Sequence, residues 1–139
     1  MAELVSTANA VWHGGLADGS GTVTFASGAA GPLPVSWASR TEAANGKTSP
    51  EELIGAAHAA CYSMALSHEL AGAGGTPKEL NVTAKVTFVA GSGIAGVALT
   101  VSGHADGLDA DGFRKAAEAA KEGCPVSQAL AVPITLTVN

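Results

Sequence analysis

Cations and aromatic side chains are scarce in this sequence of 139 residues. It contains seven Lys and Arg against twelve Asp and Glu, a formal net charge of −5, and only 4% of its residues are aromatic. Without a cluster of Lys or Arg, nucleic acids and anionic membrane surfaces are not expected as partners. No apolar run approaches the ~20 residues needed to span a bilayer. The N-terminal segment lacks a basic stretch followed by an apolar run, so we expect no signal peptide and a cytoplasmic location.

Cysteine is scarce as well, since Cys61 and Cys124 are the only two in the sequence. Two cysteines are too few for the disulfide scaffold of a secreted domain, and their separation matches neither a CxxC motif nor zinc-ligand spacing. The four histidines supply no further ligand at a suitable spacing, so we expect neither a metal nor another bound cofactor. In a reducing cytoplasm, such a pair is either two inert core residues or a redox couple.

Small apolar residues are abundant, and no linker or repeat divides the chain, so we expect a single domain over residues 1–139. Alternating apolar residues bounded by Gly and Pro predict strands at residues 6–13, 19–28, 32–39, 80–90, 94–105 and 133–138. Helical spacing predicts long helices at residues 48–70 and 110–122 and a short helical turn at 124–130. This order predicts an α+β fold in which antiparallel β-sheet packs on helices.

Local signals refine several of these elements. The prolines of the strand at 32–39 suggest a sheet edge, and the turn between the strands at 80–90 and 94–105 predicts a hairpin. Gly55 inside the first long helix implies close approach of another element. Asp109 or Asp111 can cap the second long helix, and Pro125 suits the first position of the short helical turn.

The first long helix carries Cys61 near its middle. Ser49 can cap this helix, Pro50 suits its first position, and Glu52 completes a capping box. Cys61 is either a buried hydrophobic residue or a reactive thiol, and the pattern alone favours neither. Because it lies about three turns into the helix, the helix dipole cannot activate it, and a thiolate would need a cation from elsewhere. The face expected to be buried comprises Leu53, Ile54, Ala57, Cys61, Met64 and Ala65.

Three residues could act together with Cys61. Arg40 follows the third strand in a cation-poor stretch and could stabilise a thiolate, although an exposed loop arginine is the simpler interpretation. Cys124 precedes the short helical turn, whose N–H groups favour a negative sulfur, so it is either a resolving thiol or a cap. His58 lies three residues before Cys61, and a Cys–His pair would indicate acyl transfer, but a surface or hydrogen-bonded histidine is the default.

Glu51 lies in the first turn of the same helix, where an acidic residue is explained by capping and by the helix dipole. It precedes Cys61 by ten residues, which is about 15 Å along a straight helix. Its carboxylate could therefore approach Cys61 only in an antiparallel second copy of the helix. A functional Glu51 would imply a two-fold dimer with composite sites.

Two segments closely resemble the cysteine motifs of the OsmC/Ohr family of thiol-dependent peroxidases. They are GKTSPEELIGAAHAACYSMALS at residues 46–67 and AKEGCPVSQAL at residues 120–130. The resemblance covers nearly the whole chain, and the absence of Lys and Arg before Arg40 favours the OsmC branch. It implies an OsmC-like fold, an intertwined homodimer in which antiparallel β-sheets pack on two long central helices.

The resemblance also implies a function and a set of catalytic residues. Cys61 would attack the peroxide, Cys124 would resolve the sulfenic acid as a disulfide, Arg40 would stabilise the thiolate, and Glu51 would hold the guanidinium. The expected reaction is reduction of organic hydroperoxides to alcohols and water, with hydrogen peroxide as a second possible substrate. An external thiol or lipoyl-type reductant would regenerate the enzyme without a bound cofactor. The alternative is an OsmC-like dimer that binds a ligand and has little peroxidase activity.

Overall fold

The computed structural model describes residues 2–139, which divide into a compact unit that ends at Pro50 and a second unit, Glu51–Asn139. The strands are β1 (Ala8–His13), β2 (Ser20–Phe25), β3 (Leu33–Val35), β4 (Thr76–Val89), β5 (Gly93–Asp106) and β6 (Ile134–Val138). The helices are α1 (Trp37–Thr41), α2 (Pro50–Gly72), α3 (Ala110–Gly123) and α4 (Pro125–Ala129). The predicted α+β class is confirmed. In residues 2–139, no helix combines the length and the apolar character needed to cross a bilayer.

The first unit is an antiparallel sheet of order β1-β2-β3, followed by the short helix α1. The prediction of a strand over residues 32–39 is wrong beyond Val35. Ser36 caps α1: its side chain accepts a hydrogen bond from the Ser39 N–H, and the Ser39 hydroxyl accepts one from the Ser36 N–H, both at 3.1 Å. This reciprocal pair stabilises a helical start where alternation suggested a strand. As expected from its prolines, β3 lies at a sheet edge.

The second unit contains a sheet of order β4-β5-β6. Strands β4 and β5 form the predicted antiparallel hairpin, but β6 pairs parallel to β5, so the expectation of purely antiparallel sheets is wrong here. The cause is the connection: α3 and α4 lie between β5 and β6 and carry the chain back before β6 begins. Parallel neighbours require such a crossover, and the sequence pattern of a strand does not reveal its direction.

Helix α2 packs closely against this sheet. Gly55 was expected to permit close approach of another element, and this is confirmed: a Cβ built on it would lie 3.2 Å from the Ala84 carbonyl oxygen of β4. The Tyr62 hydroxyl, which is fully buried, donates a hydrogen bond of 2.9 Å to the Ala117 carbonyl oxygen of α3. The core shared by α2, α3 and the sheet includes Tyr62, Leu66, Leu70, Leu99, Val101, Phe113, Ala117, Ala120 and Cys124.

The buried face of α2 differs from the predicted one. The structure buries Glu51, Gly55, His58, Tyr62, Leu66 and Leu70. Met64, which the prediction placed in the core, is 71% exposed, while Cys61 is half-buried at the border of the observed face. The helix is apolar on nearly all sides, so periodicity could not select a face. The sheet and α3 instead cover the face of α2 that carries Tyr62, Leu66 and Leu70.

Candidate active site

The structure brings Cys61 of α2 and Cys124 together across 63 residues of sequence. Their Sγ atoms lie 3.2 Å apart, and neither cysteine forms a disulfide. Cys124 is fully buried in the core, whereas Cys61 is half-buried. A disulfide has an S–S length of about 2.05 Å, so closure would shorten the separation by roughly 1.2 Å. The two thiols are already arranged to react with each other.

A short turn between two helices positions Cys124. Asp109 caps α3, where its side chain accepts a hydrogen bond of 2.8 Å from the Gly112 N–H, as predicted. At the other end, the Cys124 N–H bonds to the Ala120 carbonyl oxygen, and Cys124 itself is extended. Pro125 then begins α4, also as predicted. Cys124 thus ends one helix and begins the next, which aims its sulfur at α2.

Hydrogen bonds determine the ionisation of Cys124. Burial acts to raise the pKa of this thiol, but the hydrogen bonds around it prevail and lower the pKa below its ordinary value. The groups that lower it are Ser127, Cys61 and Val126. Donors near a sulfur favour its charged form. Negative charge on Cys124 is therefore better tolerated than burial alone would allow.

Cys61 shows the opposite behaviour. Burial raises the pKa of its thiol; a hydrogen bond from the Val126 N–H opposes that rise, and the neighbouring Cys124 sulfur adds to it. The surroundings of Cys61 in the second unit thus disfavour its charged form, and a nearby positive group would favour it.

Two polar residues complete this cluster: His58, which the sequence offered only as a possible acyl-transfer partner, and Ser127, which the sequence did not identify. His58 is fully buried, and its Nε2 lies 2.7 Å from Ser127 Oγ, while its buried Nδ1 has no hydrogen-bond partner among residues 2–139. Burial lowers the pKa of the imidazole. No hydrogen bond links His58 to Cys61 in this part of the chain, so the acyl-transfer pair does not form. The i, i+3 spacing of His58 before Cys61 and of Ser127 after Cys124 was the available signal.

The other two predicted site residues are Glu51 and Arg40. Glu51 is buried in the first turn of α2, and its separation of ten residues from Cys61 on one continuous helix prevents contact within the chain. Arg40 lies on α1 in the first unit, with its guanidinium carbon 5.9 Å from the Trp37 ring centroid. It borders an apolar groove of about 380 Å³, also lined by Trp12, Leu16, Val35, Ser36, Trp37 and Pro50.

Residues 2–139 contain no group of three or more His, Cys, Asp or Glu side chains arranged to hold a metal ion. Two thiols at the distance seen between Cys61 and Cys124 are capable of nucleophilic attack, oxidation and disulfide formation.

Comparisons with curated proteins identify relatives along most of the chain. Peroxiredoxin OsmC of Escherichia coli (strain K12) is 46% identical over 128 residues, which cover 90% of this chain and 89% of the relative. Peroxiredoxin OsmC of Shigella flexneri matches with the same identity and coverage. A family model described as OsmC-like protein matches residues 43–139, a range that contains both cysteines.

Solved structures share the fold. The organic hydroperoxide resistance protein OsmC of Legionella pneumophila is 27% identical, with a TM-score of 0.74 and coverage of 99% of both chains. An organic hydroperoxide resistance protein of Elizabethkingia anophelis is 28% identical, with a TM-score of 0.73 and coverage of 100% of this chain and 99% of the other. The fold, the sulfur pair and the extent of these matches lead to one conclusion: the chain belongs to the OsmC family.

Proposed function

We propose that this protein is a cysteine-based peroxidase that reduces organic hydroperoxides to alcohols and water, with hydrogen peroxide as a second substrate. The observation that carries the proposal is the 3.2 Å contact between the Cys61 and Cys124 sulfur atoms in a chain of this family. The E. coli relative is named a peroxiredoxin, and the L. pneumophila structure is described as an organic hydroperoxide resistance protein. These names support both the reaction class and the substrate class.

In the proposed reaction, the Cys61 thiolate attacks the terminal oxygen of the hydroperoxide. An S–O bond forms, the O–O bond breaks, and the departing alkoxide takes up a proton to become the alcohol. Cys61 is now a sulfenic acid. The Cys124 thiolate attacks its sulfur, the S–S bond forms, and hydroxide leaves and is protonated to water. An external dithiol or two thiols then reduce the disulfide.

Arg40 and Glu51 are proposed to activate Cys61. Burial raises the pKa of Cys61, so attack at neutral pH requires a nearby cation. A guanidinium stays charged throughout the physiological range and can also stabilise the developing alkoxide. In this scheme Arg40 supplies that charge, and the Glu51 carboxylate holds the guanidinium by a charge-assisted pair.

A homodimer is the proposed working assembly, in which both units of each chain belong to one OsmC-like domain. Its support is apolar surface: Met64 is 71% exposed on α2, next to the exposed alanines 56, 57 and 60, and Leu4 is 92% exposed near the N-terminus. Exposed apolar surface of this kind marks association sites. Two copies of α2 packed antiparallel would cover it and bring each Glu51 towards the thiol of the other copy.

Reducing equivalents are proposed to come from outside the protein, from a small thiol or a lipoyl-type dithiol in the cytoplasm. The half-buried Cys61 sulfur is the accessible end of the pair, because Cys124 is fully buried. The external thiol would therefore attack at Cys61 and release Cys124 first, in keeping with the rule that access and leaving-group pKa direct exchange.

The first prediction concerns the two cysteines. Cys61→Ser should slow cumene hydroperoxide consumption with dithiothreitol by at least about a thousandfold, because a hydroxyl is a poor nucleophile at neutral pH. Cys124→Ser should consume one equivalent of peroxide without reductant and form no disulfide. Peroxide loss by a ferrous–xylenol orange assay measures both. Unchanged turnover in Cys61→Ser would exclude its role as nucleophile.

The second prediction concerns Arg40. In a Cys124→Ser background, Arg40→Met should raise the pKa of Cys61, so less thiolate exists at pH 7. Iodoacetamide alkylation of Cys61 should then slow by about tenfold or more, and the pH of half-maximal rate should increase. Arg114→Met, which removes an exposed guanidinium on α3, is the matched control and should have no effect. Equal alkylation rates in the two variants would contradict the assignment of Arg40.

The third prediction concerns assembly. The unmodified protein should sediment as a dimer at micromolar concentration, and Met64→Glu should shift it towards monomer, because a carboxylate would be buried without a partner. Ser102→Glu, which places the same charge at an exposed position of β5, should remain dimeric. Sedimentation velocity measures both. A monomeric unmodified protein with full peroxidase activity would refute the dimer.

A further inference from the structure

His58 is a fully buried ionisable residue that none of the proposed chemical steps uses. Its Nε2 lies 2.7 Å from Ser127 Oγ. Ser127 follows Cys124 by three residues in the first turn of α4, and its side chain is among the groups that lower the pKa of Cys124. The three residues thus form a series from α2 to α4 that ends at one of the reacting atoms. Burial lowers the pKa of His58, so its ring is neutral at pH 7 and carries a proton on only one nitrogen.

The direction of this series follows from counting protons. A serine hydroxyl has one proton to donate. If Ser127 donates it to the Cys124 sulfur, Ser127 Oγ must accept from His58, which puts the ring proton on Nε2. The buried Nδ1 is then a bare acceptor without a partner in the described chain. The opposite tautomer would bury an unsatisfied N–H at Nδ1, which is rarer in proteins than an unsatisfied acceptor.

We propose that His58 is a positioning residue for Cys124: its Nε2–H donates to Ser127 Oγ and thereby directs the Ser127 hydroxyl proton at the Cys124 sulfur. Ser127 contacts the reacting atom directly, whereas His58 acts only through Ser127. The series holds the Cys124 sulfur as a thiolate facing Cys61. It needs no charged imidazole.

The inference extends the proposed peroxidase reaction at its second step, and its catalytic part rests on that function. In this step the Cys124 thiolate displaces hydroxide from the Cys61 sulfenic acid; the S–S bond forms and the S–O bond breaks. The departing hydroxide takes up a proton from solvent and becomes water. This proton replaces the one that Cys124 released to solvent when it ionised. A thiol without the Ser127 hydrogen bond would spend less time ionised and would close the disulfide more slowly.

Other titratable groups also act on this sulfur pair. Tyr62 on α2 and Cys124 influence each other electrostatically, and Glu118 on α3 acts on Tyr62. Cys61 hydrogen-bonds to Cys124 directly. These groups are unchanged in the variants below, apart from Cys61 where it is replaced in all arms.

The first experiment measures Cys124 in the absence of peroxide, in the whole protein with Cys61→Ser. The rate of Cys124 alkylation by iodoacetamide is followed from pH 5 to pH 10 in this reference protein and in four variants of it. Three variants change the series: Ser127→Ala, His58→Phe and His58→Gln. The fourth, His68→Phe, is the matched control on the same helix as His58. His68 is exposed. Circular dichroism and thermal melting establish that each variant is folded.

We expect Ser127→Ala to slow alkylation at pH 7 by about tenfold and His58→Phe by about threefold to tenfold, the range that corresponds to loss of one hydrogen bond. The pH of half-maximal rate should increase in both. His58→Gln keeps an N–H donor on a neutral side chain and should restore most of the rate, and His68→Phe should match the reference. A folded Ser127→Ala variant with the reference rate overturns the proposal, as does a folded His58→Phe variant equal to His68→Phe.

The second experiment uses protein with both cysteines and separates the two chemical steps by stopped flow. Ser127→Ala and His58→Phe should slow disulfide closure by the same factors, and the rate of peroxide consumption in the first turnover is recorded separately from the rate of closure. If closure is as fast as in the unmodified protein, the positioning role is refuted. If the protein reduces no peroxide, the proposed function fails instead, and the alkylation measurements still decide whether His58 directs Ser127.

Discussion

The contact between the Cys61 and Cys124 sulfur atoms is the interaction on which the proposed chemistry depends. Two segments that are distant in sequence must meet at 3.2 Å for it to exist. Helix α2 supplies one sulfur from its half-buried border, and the turn between α3 and α4 supplies the other from the core. The buried Tyr62 hydroxyl donates to the Ala117 carbonyl oxygen and thereby links α2 to α3. The packing of the core therefore determines the geometry of the site.

The two sulfurs differ because their surroundings differ. Cys124 receives hydrogen bonds from Ser127, Val126 and Cys61, and these outweigh the cost of burying its charge. For Cys61 burial is the largest effect and raises the pKa of the thiol, so a nearby cation would favour its ionisation. A nucleophile that needs an external cation is one whose reactivity can depend on assembly. This asymmetry links the proposed roles of Arg40 and of the dimer to a measurable property of one thiol.

Local signals in the sequence predicted most elements but not their orientation. The sequence identified the cap at Asp109, the start of α4 at Pro125 and the glycine-bounded hairpin of β4 and β5. These features depend on neighbouring residues. The parallel direction of β6 and the buried face of α2 were not identified, since both depend on distant packing. The cysteine motifs pointed to a redox pair. The burial of His58 against Ser127 could not be predicted, because α2 is apolar on almost every side and offers no preferred face.

The central claim is that Cys61 and Cys124 of the same chain form the reacting pair. The most direct test unfolds and refolds equal amounts of ¹⁵N-labelled and unlabelled reduced protein together so that mixed dimers form, adds one equivalent of cumene hydroperoxide, and maps disulfides by mass spectrometry. We predict loss of two hydrogens per chain and a Cys61–Cys124 linkage in which both peptides carry the same label. Linkages between labelled and unlabelled peptides, or sulfenic acid at Cys61 that persists without any linkage, would contradict it.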